Sequence, residues 1–82
     1  MKEDECRLLI HIYLQCKQGR ADRLTPRQVI VDLSHIIQHK RAFSLLNKWC
    51  KKGWYDYGVV LDLGWLTSEG KQKAVEILRE EQ

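Results

Sequence analysis

Seven side chains between Lys40 and Lys52 suit contact with a polyanion: Lys40, Arg41, Ser44, Asn47, Lys48, Lys51 and Lys52. Lysine and arginine neutralise phosphates, a bidentate arginine matches guanine, and a bidentate asparagine matches adenine. Gln38 and His39 stand immediately before this run, and Arg27 lies upstream of it. These ten residues form the candidate contact set. Lys40 and Arg41 lead it, Ser44, Asn47 and Lys48 come next, and Arg27, Lys51 and Lys52 are placed as phosphate positioners. Ser44 and Asn47 follow Arg41 by three and six residues, which predicts that they run along roughly the same side of a helix.

The distribution of charge favours the same chemistry more strongly than its total does. The 82 residues carry a formal charge of only +3. Residues 17–53, however, hold nine lysines and arginines against Asp22 and Asp32, a surplus of +7, whereas residues 1–16 carry −1 and residues 54–82 carry −3. A basic middle between acidic ends attracts phosphate, because each neutralised phosphate releases condensed counterions.

Other chemistries find less support. His35 and His39 lie four apart, the spacing that sets two imidazoles on one helix face, but no Cys-x-x-Cys, His-Glu-x-x-His or third nearby ligand accompanies them. No metal or other cofactor is expected, and His11 reads as helix surface. Trp49, Trp54 and Trp65 have the ring area to stack on single-stranded bases, although core packing is their commoner role. No Gly-rich phosphate loop, nucleophile elbow or strong carboxylate pair is present, so the chain is not expected to be an enzyme. Three cysteines without a close pair argue against a disulfide framework and fit a reducing compartment. On one helix Cys6 and Cys16 would sit ~15 Å apart, too far to bridge.

The elements that must position these groups follow from spacing. With 44% apolar residues the chain builds one small core, hence a single domain over residues 1–82. No apolar run approaches the ~18 residues that cross a bilayer, and the opening Met1-Lys2-Glu3-Asp4-Glu5 is too acidic for a secretory signal; a cytoplasmic or nucleoid-associated location is expected. Cys6, Leu9, Ile10, Tyr13, Leu14 and Cys16 predict a first helix over residues 3–18 that ends at Gly19, after which Leu24 adds a brief strand. Thr25-Pro26-Arg27-Gln28 opens a second helix: Thr25 accepts the Gln28 N–H, and the Gln28 side chain reaches back as a capping box. Val29, Ile30 and Leu33 form its buried face, and Ser34 ends it. A third helix begins between Ser34 and His39 and runs to Lys52, with Ala42, Leu45, Leu46 and Trp49 inward and Gly53 as its stop. Tyr55, Tyr57 and the branched residues around Gly58 predict a short antiparallel hairpin. Thr67 or Ser68 then caps a last helix with Ala74, Val75, Ile77 and Leu78 on its apolar stripe, fraying after Arg79.

Three phrases in this order, Thr25-Pro-Arg-Gln-Val, Leu45-Leu-Asn-Lys-Trp-Cys-Lys-Lys-Gly-Trp and Leu66-Thr-Ser-Glu-Gly, resemble landmarks of MarR-like and related winged-helix regulators. There the first opens helix 2, the second ends the recognition helix with a lysine-rich turn into the wing, and the third opens the helix after it. The resemblance covers residues 24–78. It implies a mainly α fold with a small antiparallel β-hairpin, a winged helix-turn-helix with a three-helix core, a wing and a C-terminal helix. It implies sequence-specific binding of double-stranded DNA, with helix 3 (about residues 38–52) in the major groove, and transcriptional regulation. A homodimer through helices 1 and 4 would suit a symmetric operator, and 82 residues leave little room for a small-molecule pocket. On this basis Arg41→Ala and Lys48→Ala should weaken duplex binding without unfolding. The hairpin departs from the pattern by offering Asp56 and Asp62 in place of arginine or lysine. That departure keeps open a different role, a protein-interaction module that docks through the aromatic hairpin and helix 4.

Overall fold

Apolar residues at three- and four-residue spacing become four helices in the computed structural model, which describes residues 2–16 and 25–80. The elements are α1 (Glu3–Gln15), α2 (Pro26–Asp32), α3 (His39–Lys52), β1 (Tyr55–Asp56), β2 (Trp65–Leu66) and α4 (Ser68–Glu80), with one 3-10 turn at Leu61–Leu63. The expectations for Gly19, Leu24 and the last two residues lie outside the described residues.

One core joins the elements. Leu8, Leu9 and Ile12 of α1 meet Val29 and Ile30 of α2, the four inward residues of α3, Tyr55 and Leu66 of the sheet, and Ala74 and Ile77 of α4. The apolar stripes of α1 and α4 pack against each other within the chain. The buried side of α1 is Leu8, Leu9 and Ile12, whereas Leu14, expected on the inward stripe, is 47% exposed and Ile10 and Tyr13 are half-buried. None of the described helices is long and apolar enough to cross a membrane.

Local chemistry sets the helix ends. Thr25 Oγ1 accepts the Gln28 N–H at 3.3 Å with Pro26 at the first helical position. The return half of the capping box does not form. Gln28 Nε2 instead donates to Asp32 Oδ1 at 3.0 Å, a partner four residues on along the same helix face. After Asp32 the chain turns without a glycine. Leu33 and Ile37 are both buried, and the Ile36 and Ile37 N–H groups donate to the Leu33 carbonyl at 2.9 and 2.8 Å. Burial of those two side chains delays α3 until His39, leaving Gln38 extended as its cap.

Gly53 ends α3 in the left-handed region at φ 81°, a conformation that strains residues with a side chain. The following strands are short, with Tyr55 paired to Leu66 and Asp56 to Trp65. The turn is not centred on Gly58. Residues 57–64 form a longer connection, fastened by the Tyr55 hydroxyl, which donates to the Leu61 carbonyl at 2.7 Å and accepts the Gly64 N–H at 3.0 Å. Thr67 then ties α3 to α4: its N–H donates to the Trp54 carbonyl at 2.9 Å, its hydroxyl donates to the Gly53 carbonyl, and its Oγ1 accepts the Gly70 N–H at 3.2 Å. Thr67 is thus the cap of α4. Gly70 passes so close to Trp54 that a Cβ there would collide with the Trp54 carbonyl oxygen.

Candidate nucleic-acid interface

No acidic residue occurs in the 14 residues of α3. At 3.6 residues per turn its side chains sort into three sectors. Ala42, Leu45, Leu46 and Trp49 face the core. Lys40, Ser44, Asn47 and Lys51, spaced by four, three and four residues, form a single exposed stripe. Arg41 and Lys48 lie roughly a quarter turn round from that stripe and face α1.

That third sector holds two residues of the expected contact set in ion pairs within the chain. Arg41 grips Asp4 through Nε to Oδ2 at 3.0 Å and Nη2 to Oδ1 at 3.4 Å, and Lys48 Nζ donates to Glu5 Oε1 at 3.1 Å. Helical spacing alone aligns Ser44 and Asn47 with Lys40 and Lys51 and not with Arg41, while the ion pairs draw Arg41 and Lys48 to α1. The cause is tertiary, since packing of α1 beside α3 brings the acidic first turn of α1 to these cations. Arg27 is engaged as well, its Nε and Nη2 donating to Asp62 Oδ2 and Oδ1 at 2.8 and 3.1 Å. Lys52 stands over the Trp54 ring at 4.6 Å, and Gln38 and His39 are exposed where α3 begins.

Glu5 is the functional-looking residue that spacing in the sequence missed. Only 1% exposed, it accepts the Trp49 indole N–H at 2.9 Å on Oε2 and Lys48 on Oε1. Burial pushes its pKa up, but the bonds from Trp49 and Lys48 together with the charges of Lys48 and Lys52 hold it below the usual carboxylate value. Two signals were available. Glu5, Leu8, Leu9 and Ile12 share helical spacing, and a buried tryptophan needs an acceptor. Asp4 and Asp62 are also held below the ordinary value, each chiefly by the arginine hydrogen-bonded to it, Arg41 and Arg27 respectively. Asp62, read from the sequence as an obstacle to a phosphate-binding hairpin, is instead a buried anchor for α2.

The hairpin presents a different surface. Tyr57, Val59, Val60, Leu63 and Trp65 are exposed, Val59 at 95%, and no lysine or arginine lies between Tyr55 and Leu66. Trp49 is fully buried and Trp54 partly so, so the three tryptophans do not share one exposed platform. His35 lies in the α2–α3 turn and His39 begins α3, so the pair does not occupy one helix face. Among the described residues no three histidine, cysteine, aspartate or glutamate side chains converge to hold a metal ion. Cys6, Cys16 and Cys50 are partly buried, and burial, followed by the charge of Asp56, pushes the Cys50 thiol pKa up.

Comparison with known protein families, curated proteins and solved structures returns no match for this chain.

Proposed function

We propose that the chain is a winged helix-turn-helix domain that binds double-stranded DNA in a sequence-specific manner and regulates transcription. The order of three helices, hairpin and fourth helix is compatible with that architecture, with α3 as the recognition helix and residues 55–66 as the wing. The observation that carries the reading is the exposed Lys40-Ser44-Asn47-Lys51 stripe on a helix without acidic residues.

Its dimensions fit a duplex. Lys51 lies eleven positions after Lys40, ~16 Å along the axis at ~1.5 Å per residue, enough to reach phosphates on both sides of a major groove ~12 Å wide. Ser44 and Asn47 then lie between them, facing base edges. An Asn47 side chain paired with adenine would contribute ~1–3 kcal/mol of discrimination. On this reading Lys40 and Lys51 would meet phosphates, Ser44 and Asn47 bases, and Gln38, His39 and Lys52 the flanks.

A second reading is a protein-docking module, favoured by the exposed apolar residues of the cation-free hairpin. Selection and sequencing from a random duplex pool, followed by titration at several salt concentrations, separates the two. An enriched motif and affinity that falls steeply with salt support the DNA reading. Absence of duplex binding, or binding indifferent to salt, overturns it in favour of the module.

A further inference from the structure

We infer that Asp4 is an intramolecular stand-in for phosphate that keeps Arg41 from nucleic acid, so that α1 restrains the affinity of α3; this inference rests on the DNA reading above. Arg41 approaches both Asp4 oxygens from two nitrogens, at 3.0 and 3.4 Å. A guanidinium grips a phosphate in the same forked way. Arg41 also flanks the Lys40-Ser44-Asn47-Lys51 stripe, within a side chain's swing of a groove edge occupied by Lys40.

The two neighbouring ion pairs differ in whether they can exchange. Glu5 is enclosed, with one oxygen on Trp49 and the other on Lys48, so its release would open the α1–α3 contact. Asp4 and Arg41 are 32% and 39% exposed, and solvent reaches both. Exposed pairs of this kind hold weakly. A duplex phosphate, with the field of its neighbours behind it, competes for Arg41 without unfolding the chain. Asp4 therefore withholds one ionic contact, and removing its charge returns that contact to the interface.

The test measures binding of the full chain to a mixed-sequence 25-base-pair duplex by fluorescence anisotropy across a salt series, for wild type, Asp4→Asn, Arg41→Ala, the double variant and Glu3→Gln. Glu3→Gln removes one acidic charge from the same turn, but Glu3 is 88% exposed and pairs with Arg7, not with α3. Asp4→Asn should tighten binding by roughly two- to fivefold at low salt, the ceiling that an exposed pair sets. It should also steepen the log–log salt slope by about 0.9, one counterion. Arg41→Ala should change wild-type affinity by less than about twofold and abolish the gain in the Asp4→Asn background. Circular dichroism of each variant monitors folding, and loss of fold in Asp4→Asn would itself overturn the claim that the pair is exchangeable. Asp4→Asn indistinguishable from wild type, or an equal gain in Glu3→Gln, overturns the restraint while leaving DNA binding intact. If none of the five proteins binds the duplex, both the restraint and the DNA reading fall.

Discussion

Glu5 gives the sharpest test of how α3 is held in place. Glu5→Ala removes the acceptor of the buried Trp49 indole N–H and the anion opposite Lys48. Hydrogen bonds to charged groups are worth ~1.5–3 kcal/mol, and an orphaned buried donor carries its full desolvation penalty. Lys48 is 47% exposed and recovers hydration when its partner is lost, so only the Trp49 bond counts in full. With about one lost methylene added, Glu5→Ala should cost ~2–4 kcal/mol. Glu5→Gln keeps an oxygen for Trp49 and exchanges charged bonds for neutral ones, so ~1–2 kcal/mol is expected. In a domain of this size each kcal/mol corresponds to ~4–8 °C in Tm. Urea titration followed by tryptophan fluorescence measures both values. A loss below about 1 kcal/mol for Glu5→Ala, or equal losses for the two variants, refutes the bond to Trp49 as the anchor of α1 on α3.

The same carboxylate fixes a pH dependence. Its folded pKa lies below the usual 4.5 because the Trp49 and Lys48 bonds and the charges of Lys48 and Lys52 together outweigh the upward push of burial. A group depressed on folding stabilises the native state fully above its unfolded pKa, and that contribution disappears as pH falls through the folded value. Wild-type stability should therefore decline below about pH 4.5, aided by Asp4 and Asp62, whose pKa values are shifted in the same direction. Glu5→Gln should show a shallower acid limb, and identical limbs refute the assignment.

Three further outcomes are expected. Gly70→Ala places a Cβ against the Trp54 carbonyl and should destabilise by ~1–3 kcal/mol despite alanine's higher helix propensity; a gain in Tm contradicts the close approach. Tyr55→Phe removes the hydroxyl that fastens residues 57–64 and should cost ~1–2 kcal/mol, with faster amide exchange at Gly64 as its local signature. Asn47→Ala should leave bulk duplex affinity nearly intact but relax the selected motif at one adenine, and an unchanged motif removes Asn47 from base contact.

Much of this arrangement is legible in the sequence where the cause is local. Thr25-Pro26 opens α2, Gly53 stops α3, and the spacing of Ala42, Leu45, Leu46 and Trp49 identifies the core side of that helix. Signals fail where a partner is distant in sequence. Arg41 meets a carboxylate 37 positions away and Trp49 one 44 positions away, and helical periodicity, which can place Glu5 on the inward side of α1, does not name either pairing. Glu5 was hidden because apolar patterning passes over a buried carboxylate. In the hairpin, Val59-Val60-Leu61 has strand-forming side chains, yet the chain leaves the ladder after Asp56. The bonds to Tyr55 and the Asp62–Arg27 pair fix the backbone there more strongly than β propensity does.

Charge summed along the chain and charge offered at the surface are consequently different quantities. The acidic flanks fold back, placing Asp4, Glu5 and Asp62 on Arg41, Lys48 and Arg27, three cations of the basic middle. Lys40, Lys51 and Lys52 make no salt bridge among the described residues, although the charge of Lys52 is felt at Glu5. A duplex that engages only those three should give a log–log salt slope near −2.7, at ~0.9 per phosphate, whereas recruitment of the paired cations as well would bring it near −5.4. The slope therefore reports which internal pairs survive in the complex. A value near the first says that α1 and the hairpin keep their cations while α3 enters the groove. A value near the second requires all three carboxylates to give theirs up, including the enclosed Glu5, and so requires α1 to move away from α3 on binding.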